Sequence, residues 1–263
     1  MKNGDFPMIE QGIASVNMCV DIFLACHDAI NQGALIQRTS RQDKEFHFQN
    51  WFEARLQELE IHYDQKGRNS YPDFSLVQNP EGYEVKGLGW PGREADYDSN
   101  SQVPTGYHNG RTIYYVFGRY PSAVNENEYP VIDLVICHGD FLNAAHEYVH
   151  KNKSFTGFGS YGDIKIRDRK MYIAPTPYGL LHGTDRQITL ILPENSSPEP
   201  RLDPVGHLIR TETNQLIVGY SFDMITNQLT PQYGNNPSAG QIHSFIAYRA
   251  KGILGPQVSL KNP

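Results

Sequence analysis

The feature that most constrains this chain is a pair of short, alternating stretches on either side of a turn. Phe74 and Leu76 alternate with polar residues, Val85 lies between Glu84 and Lys86, and Asn79-Pro80-Glu81-Gly82 supplies turn chemistry between them. This pattern predicts a β-hairpin, because alternate residues of a strand point to opposite faces and only one face here is apolar. Glu84 and Lys86 then project together while Val85 points into a core. With Gln78 to Glu81 as the loop, Asp73 falls opposite Lys86 and joins them on that face. A slip of one residue would turn Asp73 to the other side.

Two carboxylates and an ammonium on one strand pair are costly as mere structure, since the carboxylates repel and each charge resists burial. A divalent cation resolves the conflict. Mg²⁺ is commonly held by one or two carboxylates together with waters and phosphate oxygens, a donor set that Asp73 and Glu84 match. Lys86 is placed to orient or deprotonate an attacking water, or to stabilise charge developing on a phosphate. The plain alternative is an exposed, charged hairpin.

The run Pro72-Asp73, then ten residues, then Glu84-Val85-Lys86 resembles the active-site signature of the PD-(D/E)XK nuclease superfamily. The size and single-domain look resemble its type II restriction endonucleases, and the resemblance covers roughly residues 45 to 90. It implies Mg²⁺-dependent, sequence-specific cleavage of double-stranded DNA, with Asp73 and Glu84 as metal ligands and Lys86 beside them. In many members a helix just before the Asp strand adds a Glu to the site. Glu53 is the matching position, and a solvent-facing helix Glu is the alternative reading. Cutting both strands at a symmetric site calls for a two-fold homodimer, each subunit contributing one site.

Composition bounds these expectations. A chain of 263 residues can bury a sizeable core, 39% of it is hydrophobic, and no run approaches eighteen apolar residues, so no membrane partner is expected. Met1 to Glu10 lacks the basic and then apolar run of a signal peptide. Cys19, Cys26 and Cys137 lack metal-like spacing, which suits reduced, buried thiols and a cytoplasmic location. The net charge of −6 weighs against a nucleic-acid partner. Residues 151 to 170, however, hold Lys151, Lys153, Lys165, Arg167, Arg169 and Lys170 against only Asp163 and Asp168, a local cationic face suited to phosphates.

Along the chain, Ile13, Val16, Val20, Phe23, Leu24 and Ile30 recur at helical spacing over residues 9 to 30, and Phe48, Phe52, Leu56 and Leu59 do so over 43 to 60. Past Lys86 the glycines, prolines and the run from Asp96 to Gln102 predict a polar loop. Its Ser99, Asn100, Ser101 and Gln102 are candidates for hydrogen bonds to phosphates or base edges, joined by Lys165, Arg167, Arg169 and Lys170; a plain surface loop is the alternative. Arg111 to Tyr120, Val131 to Cys137, Ile164 to Ile173, Ile188 to Leu192 and Leu216 to Tyr220 read as strands, and Phe141 to Lys151 as a short helix.

Two other signals compete. His146-Glu147-Tyr148-Val149-His150 fits the zinc pattern of metalloproteases but lacks a third ligand, for which Asp163 or His182 would be improvised. Asp163-Ile164-Lys165 is a second Asp-x-Lys that an earlier acid such as Asp140 would have to complete.

The expected fold is a single α/β domain over 1–263, a restriction-endonuclease-like mixed sheet flanked by helices. Residues 1–64 form its helical N-terminal part, 65–190 the catalytic sheet, and 191–263 a C-terminal elaboration within a loop-rich, strand-rich second half. Runner-up functions are a DNA repair or recombination nuclease, a DNA-binding module with a relic nuclease site, and a zinc metalloprotease.

Overall fold

The computed structural model describes residues 18–38, 44–64, 70–92, 95–100, 102–123, 127–144, 157–167, 171–177, 188–197 and 199–252. Helix α1 (Met18–Asn31) buries Val20, Ile22, Phe23 and Cys26. The amides of Met18 and Cys19 at its start are capped by the carboxylate of Glu81, far along the chain. The helix stops at Gly33, whose φ of +77° lets the Ala34 N–H reach back to the Ala29 carbonyl at 2.9 Å. Helix α2 (Lys44–Glu58) ends the same way, with Glu60 at φ 55° in the glycine's place and the Ile61 N–H on the Leu56 carbonyl at 2.9 Å. Both helices were expected; the part of the first before Met18 lies outside the described residues.

The strands are β1 (Leu35–Gln37), β2 (Tyr63–Asp64), β3 (Phe74–Leu76), β4 (Glu81–Trp90), β5 (Asp96–Asn100), β6 (Tyr107–His108), β7 (Arg111–Pro121), β8 (Glu128–Pro130) and β9 (Asp133–His138). They continue as β10 (Lys165–Arg167), β11 (Met171–Pro175), β12 (Ile188–Pro193), β13 (Leu202–Thr211), β14 (Gln215–Asp223), β15 (Gln228–Asn235) and β16 (Ile242–Ala250). A nine-stranded mixed sheet runs β13-β16-β12-β9-β7-β4-β3-β2, with β6 also on β7. The β4–β7 and β9–β12 pairs are parallel and the others antiparallel. Lying at the centre and covered on both faces, β7 is buried without interruption from Ile113 to Tyr120. The fold is thus α/β, built mostly of strands with two helices among the described residues.

Each face of the sheet carries its own core. On one, Phe23, Phe48 and Phe52 of the helices meet Phe74, Tyr83, Val85, Tyr114 and Val116. On the other, Leu88, Tyr115, Phe117 and Cys137 meet Tyr97, Ile164, Tyr172 and Ala174 from a three-stranded sheet, β10-β11-β5, and its approaches. Helix α2 comes close because β7 has no side chain at Gly118, where a Cβ would sit 2.0 Å from the Phe48 ring. Arg119 of β7 and Asp133 of β9 are cross-strand partners and form a fully buried ion pair, Nε to Oδ1 2.8 Å. An open cavity of about 610 Å³ lies between the helices, lined by Met18, Leu24, Leu59, Arg55 and Arg201.

Several elements differ from expectation. Asp96 to Asn100 is a strand rather than loop, pairing with β11 and turning Tyr97 and Ser99 inward. The predicted strand from Ile164 to Ile173 is two antiparallel strands, β10 and β11. Gly139–Phe141 forms a single 3-10 turn, and residues 145–156, which hold most of the predicted helix and the His146-Glu147-x-x-His150 motif, lie outside the described residues. Among the described residues no helix is long and apolar enough to cross a membrane.

Candidate active site

The β3–β4 hairpin forms as its alternation predicts, in a different register. Phe74 pairs with Tyr83 and Ser75 with Gly82, so the next residues outward are Asp73 and Glu84, not Asp73 and Lys86. The offset is two residues, which preserves the face and brings the two acids beside each other. The tight end of the hairpin needs Gly82, where a Cβ would lie 2.5 Å from the Pro72 ring. Arg111, at the start of β7, closes the loop: its guanidinium donates to the carbonyls of Leu76 and Asn79, the latter at 3.0 Å.

Asp73 stands just before the start of β3, where the Val85 amide has run out of ladder. Its Oδ2 accepts that N–H at 2.8 Å, so a side chain replaces the missing strand partner. Glu84 and Lys86 flank the same peptide and project from the opposite face to Val85. Their side chains touch at 2.8 Å, Oε1 to Nζ, and each is only 12% exposed. The other oxygen of Glu84, Oε2, is buried and has no hydrogen-bond partner. A half-satisfied buried carboxylate is expensive unless something positive or hydrogen-bonding completes it.

Three phenols surround Glu84. Tyr115 is its register partner on β7, and the Tyr115 hydroxyl meets that of Tyr71 at 2.9 Å. Burial pushes the Tyr71, Tyr97 and Tyr115 phenols well up, and the negative charge of Glu84 adds to each shift. All three therefore stay neutral, and Tyr97 keeps a buried hydroxyl without a partner. This wall of phenols shields Glu84 from bulk water, which strengthens its attraction for cations.

The remaining candidates are placed as follows. Glu53 accepts a hydrogen bond from the Tyr63 hydroxyl at 2.5 Å, and Tyr63 lies edge-on to Phe74 in the helix-side core, on the other face of the sheet from Glu84. Ser99 is buried and donates to the Tyr172 carbonyl at 3.1 Å, which leaves it turned away from any ligand. Asn100 is exposed at φ 53°, and Gln102 donates to the Val103 carbonyl at 3.2 Å. Lys165 is exposed, and Arg167 pairs with Asp98 at 2.7 Å. Ser101, Arg169 and Lys170 lie outside the described residues, as do His146, Glu147, His150 and His182. Asp163 is committed to Arg210, whose guanidinium lies 4.2 Å over the Tyr161 ring, so the second Asp-x-Lys does not repeat the Glu84–Lys86 contact.

Among the described residues no group of three or more His, Cys, Asp or Glu side chains converges on one point. A cation at Glu84 would be held by few protein ligands, all of them hard oxygens. That donor set suits Mg²⁺, which keeps several waters, and disfavours zinc. Sequence reasoning missed Tyr71, Tyr97, Tyr115 and Arg111; only the adjacency of Tyr71 to Pro72-Asp73 offered a signal. Comparison with protein-family models, with curated proteins and with solved structures gave no match.

Proposed function

We propose that this chain is a Mg²⁺-dependent endonuclease of the PD-(D/E)XK type, most like a type II restriction endonuclease, hydrolysing phosphodiester bonds of double-stranded DNA. One arrangement carries the reading: Glu84 and Lys86 in contact on one strand face, with Asp73 fastened to the peptide between them. Support also comes from the hairpin's place in a mixed sheet, with helices packed on the opposite face.

Asp73 and Glu84 would hold the metal, the unpartnered Oε2 of Glu84 being the available donor. Bound there, Mg²⁺ supplies positive charge to the phosphate as negative charge builds on it. The hydrogen bond to Val85 keeps the Asp73 carboxylate from swinging away, and the contact with Glu84 holds the Lys86 ammonium on the reacting side. From there Lys86 orients the attacking water or steadies a phosphate oxygen. In the reaction a water oxygen bonds to phosphorus, one ester P–O bond breaks, and the departing oxygen takes up a proton.

Duplex contacts are assigned in this reading to Asn100, Lys165 and Arg167, which are exposed on the small sheet β10-β11-β5. Cutting both strands at a symmetric site would call for a two-fold dimer of the chain. Incubating supercoiled plasmid with purified protein and Mg²⁺ tests the reading. Discrete bands are expected; a smear would make it a general nuclease, and intact plasmid would remove the catalytic assignment. Ca²⁺ in place of Mg²⁺ is expected to support binding without cutting.

A further inference from the structure

We propose that the cavity between α1 and α2 binds a small molecule with a carboxylate head and an aliphatic body, the head held by Arg55. The space of about 610 Å³ is of the size that takes small organic ligands. Its walls come largely from the helices, which pack on the face of the sheet opposite Glu84, so the inference does not rest on the endonuclease reading. Leu24, Ala25, Ala29, Ala34 and Leu59 give it an aliphatic lining, in which the short alanine side chains leave room. Arg55 borders the same space with its charge incompletely met. Its side chain is 7% exposed, and its guanidinium carbon lies 4.9 Å from the centroid of the Trp51 ring. Trp51 is fixed in turn by donating to the Ala34 carbonyl at 3.2 Å. Glu58 accepts from Nη2 at 2.6 Å, while Nε and Nη1 are buried with no hydrogen-bond partner. Covered N–H groups without acceptors are costly, the more so on a charged group.

Charge selects the head group. Arg201, the other arginine on the wall, is fully engaged: Nη1 donates to Asp21 at 2.6 Å, and Nε and Nη2 donate to the two oxygens of Glu199, each at 2.9 Å. Of the two arginines, only Arg55 has donors to spare. Glu58 is 57% exposed and reaches a single nitrogen from the next turn of the same helix. A ligand carboxylate in its place can accept from two nitrogens at once, the arrangement a guanidinium favours. Asp21, Asp28 and Glu58 also line the space, so a dianionic phosphate head meets more repulsion than a carboxylate does. An ammonium head would gain little, because Asp28 and Glu58 are exposed carboxylates already served by water, and it would leave Arg55 as it stands.

The test is calorimetric titration of the full chain with octanoate, with neither DNA nor metal present. Octanoate is expected to saturate a single site per chain, and octylamine and octyl phosphate to bind at least about tenfold more weakly. Arg55→Gln is expected to weaken octanoate by about tenfold or more, the loss of a charged hydrogen-bonding partner. Because that change disturbs a buried side chain, a second variant alters only the exposed competitor. Glu58→Ala frees Nη2 and should tighten octanoate by about twofold to fivefold, the worth of an exposed ion pair. Absence of octanoate binding overturns the proposal, as does equal or tighter binding of octylamine or octyl phosphate. So does a folded Arg55→Gln variant that binds like the wild type, or a Glu58→Ala variant that binds no tighter. Since no cleavage is measured, a negative result here is separate from failure of the endonuclease reading, which the plasmid assay reports.

Discussion

The Asp73 carboxylate accepts the Val85 amide at 2.8 Å, so the first acid of the site is tied to the peptide that separates Glu84 from Lys86. On the proposed reading this gives Asp73 two separable tasks. Asp73→Asn retains an acceptor for the amide and loses the charge. It is expected to unfold in urea like the wild type while cleavage falls by about a hundredfold or more. Asp73→Ala loses both, and should in addition cost about 1–3 kcal/mol of stability through the unpaired amide. Near-normal turnover in the Asn variant would sink the assignment.

Lys165 and Arg167 sit on β10, both exposed, with Arg167 also paired to Asp98 at 2.7 Å. If both contact phosphates, changing them together to Gln should reduce the slope of log affinity against log salt by about 1.8, at about 0.9 per contact. Filter-binding across a salt series reads this directly. An unchanged slope would leave them as ordinary surface cations.

Glu81 caps α1 and accepts the Tyr83 hydroxyl at 2.5 Å, yet burial raises its pKa above the ordinary 4.5. A carboxyl raised in the folded state binds its proton more tightly there than in the unfolded chain. Its contribution to stability is therefore full below 4.5 and is lost as pH rises through the folded value. Relative to Glu81→Gln, which cannot ionise, the wild type should lose stability over that rise and then stay level. Urea unfolding of both proteins from pH 4 upward checks the sign, and a gap that widens in the other direction refutes it.

Arg119 and Asp133 pair across β7 and β9 with each side chain 1% exposed. Removing one partner strands a buried charge, so Asp133→Ala should cost about 3–5 kcal/mol. Replacing both with apolar residues of similar volume should cost much less than that single change. A double variant as unstable as the single one would mean that the pair's shape, not its charge balance, is what the sheet needs.

The sequence revealed the β3–β4 hairpin because Phe74, Leu76 and Val85 alternate cleanly around strong turn residues. It left the register open, since a shift of two keeps every side chain on its face and no apolar pattern distinguishes the two pairings. Strand β5 was hidden because its inward residues are Tyr97 and Ser99 and its neighbours Asp96, Asp98 and Asn100, a composition that reads as loop. The Tyr71–Tyr115 contact, between residues 44 positions apart, depends on the parallel pairing of β4 with β7 and leaves no local trace. For Glu53, helical spacing placed it beside the apolar stripe, but only the path of β2 brings Tyr63 to its carboxylate.

Because β9 pairs with β12 in parallel, a growing polypeptide cannot complete the central sheet from adjacent hairpins. On the ribosome, the strands from β2 to β9 emerge well before Ile188, the first residue of β12. Until then Leu134, Ile136 and Cys137 lie along an unpaired apolar edge. Nascent chains paused or truncated in that interval are the ones most prone to stick to one another, so recombinant yield should depend on how quickly the stretch before Ile188 is translated.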